Sequence, residues 1–390
     1  MIRGRDFIVF SDNWGRHPFS CQHIMEHFLP HNRLLWVNTI GMRKPRITLS
    51  DMKRSLEIIR SWLTTRENDC LEANLTILNP VMFPYSTIPV IRELNRFSVI
   101  RAARAEIEKQ CFRHPIFLTT LPNASDYLGA FDEVLDVYYC VDEFSEWPGV
   151  EKELVKEMEA TLLEKADLVV AVSDELVKSK SKPYRDTYLL THGVDVKHFQ
   201  SSTDLSESNQ MMRKMSKPII GFFGLIDERT DMDLLQMIVE SRVKWSVVLI
   251  GKSIIDLTRL KKYDNFCHIG AVAYEDLPKY SSCFDACILP YKINKLSENI
   301  NPLKLKEYLA TGKPVVSTAL PEAVKLQPFV NIGTSHQEII EQLDRVLTNP
   351  HDCSLQIQCL QSESWDSKAN IFALWIEQAI NKKEVNYDHT

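Results

Sequence analysis

Lys304 and Glu307 stand three residues apart in the string Asn-Pro-Leu-Lys-Leu-Lys-Glu that begins at Asn301. On a helix that spacing puts a cation and a carboxylate on one face. Asn301 can cap such a helix. Pro302 suits its opening position, where the missing N–H has no intrahelical partner anyway. Leu305 and Leu309, four apart, form its core stripe; Gly312 fits just past its end, and Pro314 prevents continuation. The start of a helix offers unpaired N–H groups and partial positive charge, which favour a phosphate. A carboxylate beside it can grip both hydroxyls of a ribose. The same spacing also describes a solvated ion pair on a surface helix.

Three other places carry polar groups where a strand runs out. Gly221-Phe-Phe-Gly224 closes an apolar run and leads toward a helix near Asp231. Glycines at such a turn let the backbone approach a phosphate closely, though they also serve simply as packing positions. Gly15 and Arg16 follow the first strand, Phe7–Ser11, where ligands of doubly wound sheets bind. Asp142 ends an apolar strand, where a carboxylate is costly unless paired or used; a helix-capping role before Glu-Phe-Ser-Glu-Trp fits it equally. Asp231-Met-Asp233 reads as helix-start acid, and no His/Cys cluster has zinc spacing.

The elements that would position these residues alternate between short apolar runs and longer amphipathic stretches. Strands are expected at Leu34–Asn38, Leu75–Asn79, Pro115–Thr119, Leu135–Val141, Leu168–Val172 and Tyr188–Thr191, then at Pro218–Gly224, Ser246–Gly251, Ala286–Pro290 and Pro314–Ser317. Helices fit Val150–Glu164, Leu234–Glu240, Leu303–Ala310 and Trp365–Ile380. This alternation predicts an α/β chain of parallel, doubly wound sheets. The Ser-rich stretch 201–217 has no strand pattern and reads as a linker. It separates a domain at 1–205 from one at 217–360, with 361–390 as a C-terminal helix.

At 390 residues, two domains are the ordinary expectation. Hydrophobic residues make up 44% and charged residues 25%, a globular balance that excludes disordered and fibrous classes. A net charge of −6 gives no general footprint for nucleic acid. The charge is uneven: residues 1–113 hold 17 Lys/Arg against 11 Asp/Glu, and residues 114–200 hold 8 against 17. Nine cysteines without a Cys-x-x-Cys pair argue against a disulfide framework, and Cys140 and Cys287, inside apolar runs, read as small buried hydrophobes. No leader or membrane-span pattern is visible, so a cytoplasmic protein is expected.

The string Asn301-Pro-Leu-Lys-x-x-Glu307-Tyr-Leu-Ala-x-Gly-Lys-Pro-Val-Val-Ser317 resembles the nucleotide-sugar-binding segment of GT-B glycosyltransferases, in particular the bacterial family 4-like (group 1) enzymes of surface polysaccharide assembly. The resemblance runs from Phe7 to about Ala323. It implies two Rossmann-like domains facing across a cleft, the first for the acceptor and the second for a nucleotide-diphosphate sugar. It implies that Glu307 holds the donor ribose, and that the helix start at Asn301, Pro302, Leu303 and Lys304 meets the diphosphate. It makes Gly224 part of the phosphate loop and Arg229 the candidate cation there, unless the surrounding acids occupy it. Gly270 through Tyr274 would flank the base, although Tyr274 and Tyr291 also suit a core. Gly15 and Arg16 would face the cleft, and Asp142 would lie near the reacting carbon. Thr191-His-Gly-Val-Asp-Val-Lys-His-Phe199 is similar to the segment that closes the first domain, with His192 read as structural. The chain departs from the family at one point: the usual second glutamate, eight before Glu307, is Asn299, with Glu298 beside it.

The expected function is therefore metal-independent transfer of a hexose, with retention, to a saccharide or lipid-linked acceptor, with no cofactor. The alternatives are a UDP-N-acetylhexosamine epimerase and a non-catalytic scaffold subunit. Residues 91–110 bear Arg92, Arg96, Arg101, Arg104 and Lys109 on a helical pattern, which fits peripheral contact with an anionic membrane at the inner face of the cell. They fit a solvated helix face as well.

Overall fold

The computed structural model describes residues 2–15, 19–39, 73–83, 87–200, 211–349 and 351–387. The chain forms two compact units, Met1–Thr191 with Lys368–Thr390, and His192–Ser367.

Among the described residues the first unit holds seven strands: β1 (Asp6–Ser11), β2 (Arg33–Asn38), β3 (Leu75–Leu78), β4 (Ile116–Thr119), β5 (Leu135–Cys140), β6 (Leu168–Ala171) and β7 (Thr187–Leu189). They pair in the order β3-β2-β1-β4-β5-β6-β7, all parallel. The second unit holds β8 (Ile219–Phe223), β9 (Ser246–Ile250), β10 (Phe266–Gly270), β11 (Ala286–Leu289), β12 (Val315–Thr318) and β13 (Val330–Gly333). Their order is β10-β9-β8-β11-β12-β13, again all parallel. Each sheet has the doubly wound dinucleotide-fold order. The order reverses beside β1 and β4 in one unit, and beside β8 and β11 in the other. Ligands of such sheets bind outside the carboxyl ends of the strands at that reversal.

The central strands are apolar on both faces because helices cover both sides. Val247, Val248 and Leu249 of β9, and Ile288 and Leu289 of β11, are fully buried. Cys140 and Cys287 sit in these strands as small apolar fillers, and burial pushes the Cys287 thiol up to about 12. β13 is a strand that the apolar-run criterion passes over. Only Val330 and Ile332 of its four residues are large and apolar, and it gains its place by pairing with β12 at the sheet edge.

The chain leaves the first unit at Thr191. Met212, within the stretch read as a linker, is buried in the core of the second unit. The Trp365–Tyr387 helix begins in the second unit, where Trp365 lies against Gly193. Its continuation in the first unit buries Phe372 against Tyr139 at 5.4 Å between ring centroids.

Candidate functional site

The reversal point of the second sheet gathers the residues that the sequence singled out. β8 ends at Phe223, and Gly224 turns the chain with φ +146°. The facing helix is Leu303–Ala310, which buries Leu305 and Leu309 completely. Tyr308, also fully buried, ties that helix to the end of β8. Its hydroxyl donates to the Phe223 carbonyl at 2.9 Å and accepts from the Phe223 N–H at 3.2 Å. The helix start is thereby brought onto Gly224: a Cβ at that position would lie 2.2 Å from Lys304 Cε. Gly251, at the end of β9, is held as tightly, since a Cβ there would lie 1.9 Å from the Gly224 carbonyl oxygen. No side chain other than hydrogen fits where backbone meets backbone at that distance.

Lys304 Nζ lies 4.0 Å from Glu307 Oε2. Glu307 is 5% exposed, so the polar face predicted for this helix is a buried one. Asn301 does not cap the helix. Its side chain is buried and donates to Glu322 Oε2 at 2.9 Å, and Pro302 takes the cap position without a side-chain bond to the first turn. Glu322 has a second partner in Lys325. Gly312 adopts φ +73° just past the helix, as its position predicts.

Arg229 lies on the loop after β8. Its guanidinium pairs with Asp227 through Nε at 3.0 Å and through a terminal nitrogen at 2.6 Å. The same guanidinium sits 5.2 Å over the ring of Tyr291, which follows β11. Burial raises the Tyr291 hydroxyl pKa, the Arg229 charge opposes the rise, and Asp227 and Glu307 reinforce it. Tyr291 therefore stands in the fields of both Arg229 and Glu307. Asp231 caps the Met232–Ser241 helix through the N–H groups of Asp233 and Leu234, each at 3.0 Å.

The match to a known family falls on this unit. Residues 217–349 fit the family model described as "Glycosyl transferases group 1". Those residues are thus similar to group 1 glycosyltransferases.

A Bacillus subtilis (strain 168) protein assigned to teichuronic acid biosynthesis as a glycosyltransferase is 26% identical over 188 residues, covering 46% of this chain and 47% of that one. The matched region thus spans about half the length of that curated relative. Among solved structures, Anabaena Alr3699/HepE in complex with UDP and glucose aligns with TM-score 0.61 and 13% identity, covering 99% of this chain and 100% of that one. The catalytic domain of Arabidopsis thaliana starch synthase IV bound to ADP and acarbose aligns with TM-score 0.64 and 11% identity, covering 97% and 99%. These likenesses give the fold, two Rossmann-like units of the GT-B type.

The matched region contains Gly224, Arg229, Asn301, Pro302, Leu303, Lys304 and Glu307. The second unit also includes residues 192–200, whose packing bears on the loop at Tyr274. The His198 ring stacks on Tyr274 at 4.3 Å, and its Nε2 lies 3.0 Å from the Tyr274 carbonyl oxygen. Phe199 meets Tyr274 edge-on at 6.0 Å. At the position of the family's second glutamate, the Asn299 amide donates to the Lys295 carbonyl at 2.5 Å, and Glu298 is exposed on the same short helix.

Sequence reading passed over Lys306, which is 5% exposed beside Glu307. Its ammonium donates to the His192 carbonyl and to Glu363, so His192 contributes a backbone acceptor. It also passed over Gly251 and Tyr308. The signal for Gly251 was available: like Gly224, it is a glycine that closes an apolar strand.

The remaining predicted residues lie in the first unit. Gly15 is exposed with φ +75° and donates its N–H to Gln22 Oε1 at 3.1 Å. Arg16 lies outside the described residues. Asp142 stands just past β5 with both oxygens engaged: one accepts from the Glu143 N–H at 2.8 Å and the other from Trp147 Nε1 at 2.9 Å. Behind that turn, Lys180, 5% exposed, donates to Glu143 and to Glu159, each at 2.7 Å.

Proposed function

We propose that the chain transfers a hexose from a nucleotide-diphosphate sugar to a saccharide or lipid-linked acceptor in cell-surface polysaccharide assembly. The observation that carries this reading is Glu307: a carboxylate withdrawn from water one turn into the Leu303–Ala310 helix, on the same face as Lys304, which packs on the tight Gly224 turn. A nucleoside diphosphate would use all three parts. Glu307 would accept from the ribose hydroxyls. The N–H groups of Leu303 and Lys304 and the Lys304 ammonium would take the diphosphate. As the glycosidic bond breaks, those donors would stabilise the negative charge on the departing diphosphate, the kind of preorganised effect that dominates such reactions. Arg229, held by Asp227 over Tyr291, would add to that field without a metal ion. Tyr274 and His198 offer a stacked pair at the base end. The ligands named for the Anabaena and Arabidopsis structures, UDP with glucose and ADP with acarbose, support a nucleotide sugar as substrate.

On this reading Asp142 and its Trp147 turn serve the acceptor side, as do Gly15 and Arg16. The anomeric configuration is retained, and the enzyme works in the cytoplasm against the inner face of the membrane. Among the described residues no helix is long and apolar enough to cross a membrane, so such contact would be peripheral. The decisive experiment is calorimetric titration of the full chain with UDP, GDP, ADP and CDP, with and without Mg²⁺. Saturable binding of one nucleotide, unchanged by Mg²⁺ and lost in Glu307→Ala, is expected. No binding to any of the four would favour a non-catalytic scaffold. The anomer formed, read by NMR once donor and acceptor are in hand, tests retention.

A further inference from the structure

We propose that a cavity at the amino ends of β1 and β2 binds a phosphate-bearing small molecule, gripped by Arg5 and Arg113. The cavity has a volume of about 480 Å³. Arg5, His31, Arg33, Cys111 and Arg113 line it, and Asp6 is the sole acid among its described lining residues. Gly15 follows the carboxyl end of β1, and that six-residue strand spans about 17 Å. The cavity is therefore a second site of the first unit, independent of the nucleotide-sugar reading.

Asp6 builds the cavity wall and is saturated in doing so. It stands opposite Arg33 in the register of β1 and β2. Its Oδ1 accepts from Arg33 Nε at 2.7 Å; its Oδ2 accepts from an Arg33 terminal nitrogen at 2.8 Å and from the Arg113 N–H at 2.9 Å. Arg33 also donates to the Gln110 carbonyl at 2.7 Å, and its guanidinium lies 4.7 Å over the Phe112 ring. Asn32, buried, fixes a second wall. Its side-chain oxygen accepts from the Arg5 N–H at 3.1 Å, and its amide donates to the Ile2 and Phe28 carbonyls at 3.0 and 2.7 Å. The backbones of Arg5 and Arg113 are thus held in place. The turn that carries Arg113 is one its residues resist. Cys111 follows the Pro89–Lys109 helix where glycine is usual, at φ 54°, with the Phe112 N–H bonded back to the Ile107 carbonyl at 3.0 Å. His114 stands at φ 44°. Such conformations are costly for residues other than glycine and collect where ligands are held.

The charges select the ligand. The basic row at 91–110 is mostly engaged: Arg92 with Asp126 at 2.6 and 2.8 Å, Arg96 with the Asp126 carbonyl at 2.9 Å, Arg104 with the Ala130 carbonyl at 2.8 Å, and Lys109 with Glu106. Arg5 and Arg113, by contrast, bond to the described residues through their backbones alone, and both line the cavity. Two guanidinium forks on one cavity, whose sole carboxylate is already paired, suit an anion with several oxygens and more than one charge. A phosphate monoester and a diphosphate share that chemistry, and a cavity of this size admits either.

Cys111 supplies the readout, because among the described cysteines it alone is exposed. The full chain is treated with iodoacetamide, a neutral reagent, and alkylation of Cys111 is followed by mass spectrometry with pyrophosphate, glycerol 3-phosphate or citrate present. Pyrophosphate or glycerol 3-phosphate should slow the reaction saturably, less so as salt is raised. The one that protects at the lower concentration tells diphosphate from monoester. In Arg5→Gln/Arg113→Gln the concentration for half protection should rise about 100-fold, and in Arg113→Gln alone about tenfold. Neither side chain is bonded to the fold, and a thermal midpoint no lower than that of wild type checks that the variants fold. Alkylation that neither phosphate compound slows, citrate protecting as well as they do, or wild-type protection in the double variant overturns the proposal. So does protection lost in Glu307→Ala, because the anion is then acting from the donor site. Protection of Cys111 without nucleotide binding removes the donor site and leaves the cavity standing; nucleotide binding without protection does the reverse.

Discussion

The two units repeat one strand order yet treat the ends of their strands differently. In the second unit the end of β8 is closed by close contacts: Gly251 against the Gly224 carbonyl, where backbone meets backbone, Gly224 against the Lys304 side chain, and Tyr308 on both polar groups of Phe223. In the first unit, the residues beyond β1 and β5 form turns bonded among their own neighbours, as Gly15 to Gln22 and Asp142 to Trp147. The same point of the first sheet is bridged by side-chain bonds, Ser11 to Thr120 at 2.8 Å and Thr119 to the Phe10 carbonyl at 3.1 Å. A site that must hold a constant chemical group can be built from backbone and packing. Turns of side-chain bonds can change one residue at a time, which suits a ligand that varies.

Four substitutions test this contrast. The largest effect is expected of Gly251→Ala, which drives a methyl into the Gly224 carbonyl at a positive φ. It should cost about 3 kcal/mol of unfolding free energy, measured by urea denaturation. A cost below about 1 kcal/mol would mean that the β8 end yields, and the contrast would be lost. Next comes Glu307→Ala. Losing charge-assisted bonds to a ligand should weaken nucleotide binding by about 100-fold in calorimetry, with the thermal midpoint nearly kept. Asp142→Ala should do the opposite, lowering stability by about 1 kcal/mol while nucleotide affinity stays within about twofold. If it weakened nucleotide binding as much as Glu307→Ala, the two strand ends would be parts of one donor site.

The most local effect concerns Asp136 on β5. Burial, with Glu133 and Asp167 nearby, raises its carboxyl from the ordinary range to about 8. The folded chain then keeps a proton that the unfolded chain releases near pH 4. Stability should fall as pH rises across that interval. Asp136→Asn should flatten the fall, as read from denaturation midpoints at pH 5 and pH 8; equal slopes in both proteins would refute the assignment.

Much of this was legible in the sequence because the relevant signals were local. A glycine after an apolar run, a proline before a helical stripe and a glycine after it located the β8 turn and the Leu303–Ala310 helix. What escaped was non-local. Asn301 has a capping residue's chemistry, but Glu322, twenty-one positions on, takes its amide. Lys306 reads as one more surface lysine until His192 and Glu363 are brought to it. The basic row at 91–110 is periodic in sequence, and only the positions of Asp126 and Ala130 reveal which arginines are already engaged. β13 needed β12 beside it to be a strand at all.

Lys306 has one further consequence. Its two partners, His192 and Glu363, are nearly the first and last residues of the second unit. Val194 pairs with Ser364 next to them, and just outside the unit Lys368 donates to Thr191 at 2.9 Å. The chain therefore departs and returns through one doorway, latched on either side. In genetic terms residues 192–367 are a cassette: a module whose ends already meet could be lifted out or exchanged between chains without leaving a gap to be spanned.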